Sequence, residues 1–148
     1  MTEPRWRGGV LLVDKPTGPS SFDIVRAVRR HLGIKKVGHT GTLDPLAGGL
    51  LIVCIGEATR VVPFLTAVDK SYIGRIQLGL VSDTYDSEGT CQRIMDVESI
   101  NALSTSKVES ALDGFRGDIN QKPPSFSAIK IDGERAYTKA RRGEQVEM

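Results

Sequence analysis

At 148 residues the chain has the length of one ordinary domain, and 39% hydrophobic with 26% charged residues is the balance of a packed globular protein rather than a disordered or fibrous one. Its longest apolar run, Leu50 to Ile55, is too short to cross a membrane, and the apolar patch near Met1 is too short for a signal peptide, so no membrane partner and a cytoplasmic location are expected. The net charge of +2 hides an asymmetry: residues 1–75 carry 11 basic side chains against 6 acidic, and residues 76–148 carry 9 against 12.

In chain order, Gly9 to Val13 reads as a short buried strand, ended by the turn-forming KPTGP. A helix follows, capped by Ser20 or Ser21, with Phe22, Val25, Val28 and Leu32 at helical spacing and Gly33 as terminator. Five basic residues and no acid lie between Arg26 and Lys36, so this helix and its tail carry a basic face. Such a face suits a polyanion, although charge alone favours an ordinary solvated surface. Leu50 to Ile55 has the composition of a strand buried on both faces. In GEATRVVPFL, Pro63 limits any helix to a short one.

Lys70 to Leu80 alternates Tyr72, Gly74, Ile76, Leu78 and Leu80 with more polar residues, the clearest strand pattern in the chain. The polar SDTYDSEGT turn comes next. Ser106 and Glu109 form a capping-box pattern, continued by Val108, Leu112 and Phe115 to an end near Gly117. The last stretch has two prolines, a strand-like SAIKI, a turn at Asp132-Gly133 and a short basic helix over Glu134 to Arg142. Lys122 to Arg142 holds six basic residues against Asp132 and Glu134. The pattern as a whole is one mixed α+β unit, incomplete at its C-terminus.

Two histidines and two cysteines without ligand spacing give no reason to expect a metal, and no phosphate-cradling glycine motif suggests a cofactor. Cys54 and Cys91 read as unpaired thiols, and Ser20 and Ser21 as helix caps rather than nucleophiles. VGHTGTLDPLAGG, Val37 to Gly49, is different in kind: Pro45 holds Asp44 in extended backbone, four glycines let another molecule approach closely, and His39 adds an ionisable ring beside the strand LLIVCI. A catalytic carboxylate loop fits these residues, and so does a plain Asp-Pro turn.

KPTGPSSFDIV, VGHTGTLDPLAGGLL, GEATR, KSYIGRIQLGLVSDTYDSEG and PPSFSAIKIDGERAYTKAR occur in that order and together closely resemble the bacterial TruB family of tRNA pseudouridine synthases, from Val10 to Arg142. The resemblance implies an α+β fold with a mixed, mainly antiparallel sheet flanked by helices. It implies isomerisation of the T-arm uridine at tRNA position 55 to pseudouridine, with no cofactor, no metal and no obligatory protein partner, by a monomer. By motif position, Asp44 matches the catalytic aspartate, His39 the residue that contacts the RNA as the nucleotide flips, and Tyr72 the ring that stacks on the flipped uracil. Lys15 belongs to the KPxG motif, expected to shape the floor of the site or to lie near a phosphate. Residues from about 120 to 145 match an insertion that closes over the T-arm loop. Family members are about twice as long. Their second half brings more of the sheet, a GTYIR-like motif whose arginine pairs with the aspartate, and often a small RNA-binding domain. Residues 1–148 are therefore expected to be the N-terminal portion of the catalytic domain, without a C-terminal RNA-binding domain; the alternative is a non-catalytic RNA-binding fragment.

Overall fold

The computed structural model describes residues 7–124, 129–131, 133–142 and 144, and the chain divides into two compact units, Met1–Tyr72 and Ile73–Met148. Every strand pair among the described residues is antiparallel, and helices accompany the sheets in both units, the α+β class that the sequence pattern and the resemblance imply.

In the first unit β3 (Gly49–Gly56) is central, with β1 (Gly8–Lys15) on one side and β2 (Val37–His39) on the other. The composition of β3 explains its place: Leu51, Val53, Cys54 and Ile55 are buried, as a strand with two neighbours requires, although Leu50 at its start is 63% exposed. β1 is longer than expected, and the expected burial is overturned. Among the described residues it is an edge strand with one partner, and Val10, Leu11 and Leu12 are exposed. Gly8 and Gly56 face each other at the far end of the pair, where a Cβ on Gly8 would stand 2.2 Å from the Ile55 carbonyl, so no larger residue fits.

Helix α1 (Ser21–Leu32) starts at Ser20, whose hydroxyl accepts the Asp23 N–H while the Asp23 carboxylate takes the Ser20 N–H in return. It stops where Gly33 turns left-handed at φ 66°. Its buried stripe differs from the expected one. Val25 is buried and Ile24 and Val28 pack on the core, whereas Phe22 and Leu32 are exposed at the flanks of the stripe. Val25, Val37, Leu51, Val53 and Ile55 form that core, with Val13, Ile34 and Leu43 packed around it. Each side chain of this size contributes about 1.5–3 kcal/mol when fully buried. After β3, a 3₁₀ turn (Glu57–Val61) leads into α2 (Val62–Thr66), short as expected, with Pro63 in its first turn where a missing N–H is tolerated.

The expected strand from Lys70 to Leu80 is not formed. Residues 71–77 have neither helix nor strand structure, and Tyr72, Ile73 and Ile76 are 71%, 105% and 77% exposed. Alternation selects a face but supplies no partner, and among the described residues no strand pairs with this segment.

The second unit holds β4 (Leu80–Ser82) paired with β5 (Cys91–Arg93), helices α3 (Val97–Asn101) and α4 (Thr105–Asp113), the hairpin β6 (Lys130–Ile131) with β7 (Glu134–Arg135), and α5 (Ala136–Arg141). The polar turn between β4 and β5 is present as expected. The cap of α4 is Ser104, whose hydroxyl accepts the Lys107 N–H, not Ser106, and the helix ends at Asp113 before reaching Gly117, leaving Phe115 outside it and 74% exposed. The expected basic helix over Glu134 to Arg142 is shorter, losing the two residues of β7 at its start and Arg142 at its end. Part of SAIKI lies outside the described residues. Cys54 and Cys91 are free thiols, and burial pushes the Cys54 thiol above its ordinary pKa.

Candidate active site

Register decides what meets at one end of the first sheet. β1 ends with Lys15 opposite Gly49, the first residue of β3, and β2 ends with His39 opposite Val53. The outgoing end of β1 therefore lies at the incoming end of β3, whereas β2 ends partway along β3, and residues 40–48 run from there back to Gly49. The Thr40 N–H extends the pairing by donating to the Ile52 carbonyl at 3.1 Å. Asp44 lies on this connection, exposed and outside any helix or strand, and the Ala47 N–H closes a turn onto its carbonyl at 3.0 Å.

The loop is held from below. Lys15 has no exposed surface, and its ammonium donates to the carbonyls of Pro16 at 2.9 Å, Pro19 at 2.8 Å and Pro45 at 3.5 Å. A buried ammonium is costly unless its three donors are used, and here three carbonyls receive them. Lys15 is thereby an internal tie between the end of β1 and the loop that carries Asp44. The Gly18 N–H also donates to the Pro45 carbonyl, at 2.7 Å, tying the KPTGP turn to the residue after Asp44. At Gly48 a Cβ would stand 3.2 Å from the Lys15 carbonyl, a close approach that favours glycine.

His39 is half-buried, and its Nδ1, enclosed by protein, has no hydrogen-bond partner among the described residues. Tyr72 is exposed on the irregular segment. That segment starts beside the loop: Lys70 caps the end of α2 through the carbonyls of Thr66 at 2.6 Å and Val68 at 3.0 Å, and its stem borders Gly41. Lys15 thus meets the loop that carries Asp44 through the Pro45 carbonyl, and His39 ends the strand that leads into that loop, while among the described residues no hydrogen bond or ring contact ties Tyr72 to them.

Sequence reading missed Ser21. Its side chain is 2% exposed, and its hydroxyl donates to the Leu43 carbonyl at 3.0 Å and accepts the Leu43 N–H at 2.8 Å. Ser21 stands out in sequence only as a second capping serine, and no local signal links it to a residue 22 positions on.

The basic cluster of α1 is partly committed. Arg26 pairs with Asp23, Arg29 donates to the Val37 carbonyl at 2.8 Å and stacks on Phe22 at 5.6 Å, and Lys36 pairs with Glu57 at 3.0 Å. The Ser20 hydroxyl, followed by Arg26, holds the Asp23 carboxyl well below the usual carboxylate range, and Lys36 with Arg60 holds Glu57 low. In the second unit Arg142 forks onto Glu134 at 2.6 and 2.8 Å and also reaches Glu144 at 2.7 Å; this holds Glu134 low and the guanidinium high.

Residues 29–148 match the family model described as TruB family pseudouridylate synthase (N terminal domain). The chain belongs to the TruB family. It is 45% identical over 148 residues to the tRNA pseudouridine synthase B of Opitutus terrae, covering 99% of this chain and 60% of that protein. It is 48% identical over 140 residues to the enzyme of that name from Synechococcus sp., covering 95% of this chain and 45% of that one. Among solved structures, a chain in the crystal structure of a Cbf5-Nop10-Gar1 complex is similar at a TM-score of 0.52 and 28% identity, over 84% of this chain and 31% of that chain. The chain therefore spans about half the length of the curated relatives it matches.

Proposed function

We propose that this TruB-family protein isomerises one uridine of tRNA, at position 55 in the T arm, to pseudouridine, with Asp44 as the catalytic carboxylate. What carries this reading is the loop itself. In a chain with close relatives named tRNA pseudouridine synthase B, the one carboxylate of the GHTGTLDPLA motif is exposed while the peptides on both sides of it are tied down. An exposed side chain on a restrained backbone is the arrangement a reacting group needs.

In the reaction the bond from uracil N1 to the sugar carbon breaks, the base turns, and C5 takes its place. N1 gains a proton and the hydrogen of C5 leaves to water. Positive charge develops at the sugar carbon, and the Asp44 carboxylate stabilises it there. The base must first leave its stack. His39, at the end of β2 beside the loop and with an uncommitted ring nitrogen, contacts the RNA as the nucleotide flips. Tyr72, with its ring exposed, stacks on the uracil, worth about 1–3 kcal/mol. Lys15 keeps the floor in shape. Residues from about 120 to 145 close over the T-arm loop, where a basic stretch suits the phosphate backbone. The protein acts as a cytoplasmic monomer without a cofactor.

The test uses T-arm RNA carrying tritium on C5 of its uridines. Release of tritium to water that disappears in Asp44→Ala, with RNA binding retained, is the expected result. No release from a folded chain that binds the RNA overturns catalysis by these residues and leaves a binding fragment. Loss of release and binding together in Asp44→Ala makes Asp44 structural.

A further inference from the structure

We infer that Ser21 is a positioning residue for Asp44, using one hydroxyl to fix both backbone groups of the residue before it; this rests on the reading of Asp44 as the catalytic carboxylate. A hydroxyl offers one donor and two acceptor sites. Ser21 spends its proton on the Leu43 carbonyl and accepts the Leu43 N–H, so the peptide groups on both sides of Leu43 are held by a single side chain 22 residues away.

Three observations separate this from ordinary helix capping. The cap of α1 is Ser20, whose hydroxyl takes the Asp23 N–H, so Ser21 is not needed at the helix end. Ser21 is 2% exposed, which leaves little room for water to take over its two bonds. Leu43 also packs its side chain on the sheet core, so this residue is fixed in side chain and backbone alike, and Asp44 after it is exposed. On the other side of Asp44 the Pro45 carbonyl is held by the Gly18 N–H. The carboxylate thus hangs between two anchored neighbours, and Ser21 supplies the anchor that no backbone group provides. Misplacing a reacting group by about 1 Å can cost on the order of a hundredfold in rate.

The experiment compares Ser21→Ala and Ser21→Thr with the unsubstituted chain, following tritium release from the C5-labelled T-arm RNA and amide hydrogen exchange by NMR. For Ser21→Ala the expected result is a drop in kcat of about 10- to 100-fold with KM within threefold. Exchange at Leu43 accelerates at least about tenfold while Val53 in the core keeps its protection. Ser21→Thr retains the hydroxyl and recovers most of the lost kcat. A kcat within twofold in Ser21→Ala, with Asp44→Ala silent, overturns the positioning role and leaves the proposed function standing. Faster exchange at Val53 as well as Leu43, with no recovery in Ser21→Thr, makes Ser21 a folding residue and also overturns it. No release from the unsubstituted chain, or release that survives Asp44→Ala, overturns the functional reading first and this inference with it.

Discussion

The loop around Asp44 and the turn between β4 and β5 are both polar connections between antiparallel strands, yet they are held in opposite ways. Ser21 reaches Leu43 across 22 residues and Lys15 reaches Pro45 across 30. Between Ser82 and Cys91 the bonds are local: the Asp86 carboxylate takes the Thr84 hydroxyl and the Glu88 N–H two residues away on either side, and Asp83 takes the Thr90 N–H seven residues on. A turn built from its own neighbours keeps its shape whenever those few residues are in place. A loop built from distant partners exists only when β1, α1 and β3 are folded together. In exchange, it presents an exposed carboxylate on a backbone fixed by separate parts of the fold.

The largest test of that difference is in the core. Leu51 is 2% exposed on β3, and Leu51→Ala is expected to destabilise the first unit by about 2–5 kcal/mol, read from urea unfolding. If the loop depends on the sheet, exchange at Leu43 accelerates in step with exchange at Val53. Acceleration at Val53 with Leu43 unchanged would show that the loop holds itself together.

The same division between local and distant partners explains what could be read from the amino-acid sequence. Ser20 and Gly33 act within a turn of the helix they bound, and the start and stop of α1 were legible from a capping serine and that glycine. The apolar run of β3 marks a central strand wherever its neighbours come from. Pairing was not legible. β1 looks as apolar as β3, but only the sheet order shows that it is an edge, and the alternation of Lys70 to Leu80 looks more strand-like than either while residues 71–77 form no strand. At α4 two serines two residues apart compete for one cap, and Ser104 wins because its hydroxyl meets the Lys107 N–H, a geometric fact that composition does not carry. The motif singled out Asp44 and His39. The Lys15 carbonyl cage and the Ser21 bonds join residues far apart in sequence, and so became visible only in the fold.

A smaller test comes from the local turn. Asp83→Ala removes the acceptor for the Thr90 N–H, a loss of about 0.5–1.5 kcal/mol. The expected change in amide exchange is confined to Thr90 and its neighbours in the turn. Altered exchange at Leu43 would contradict the separation drawn between the two connections.

The smallest expected effect concerns the junction of the two kinds of contact, where the local capping box of α1 leads directly into Ser21. The Asp23 carboxyl is held low by the Ser20 hydroxyl, then by Arg26 and by the Ser20 N–H. A carboxyl whose folded pKa lies below its unfolded value of about 3.9 contributes its full stability above that value and loses it as pH falls through the folded one. The cap is therefore insensitive to pH from neutrality down to about 4 and weakens only in stronger acid. Glu57, Asp86, Asp96 and Glu134 are also held low, so the acid response of the native chain alone does not isolate this pair. The difference between the native chain and Asp23→Asn does. Thermal midpoints of the two are expected to differ by a constant amount from pH 7 to about 4 and to converge below that, since only the native chain has a charge to lose at this position. A difference that stays constant into strong acid would mean the charge of Asp23 adds nothing to the cap, and that the hydrogen bonds at Ser20 alone set the start of the helix that carries Ser21 to Leu43.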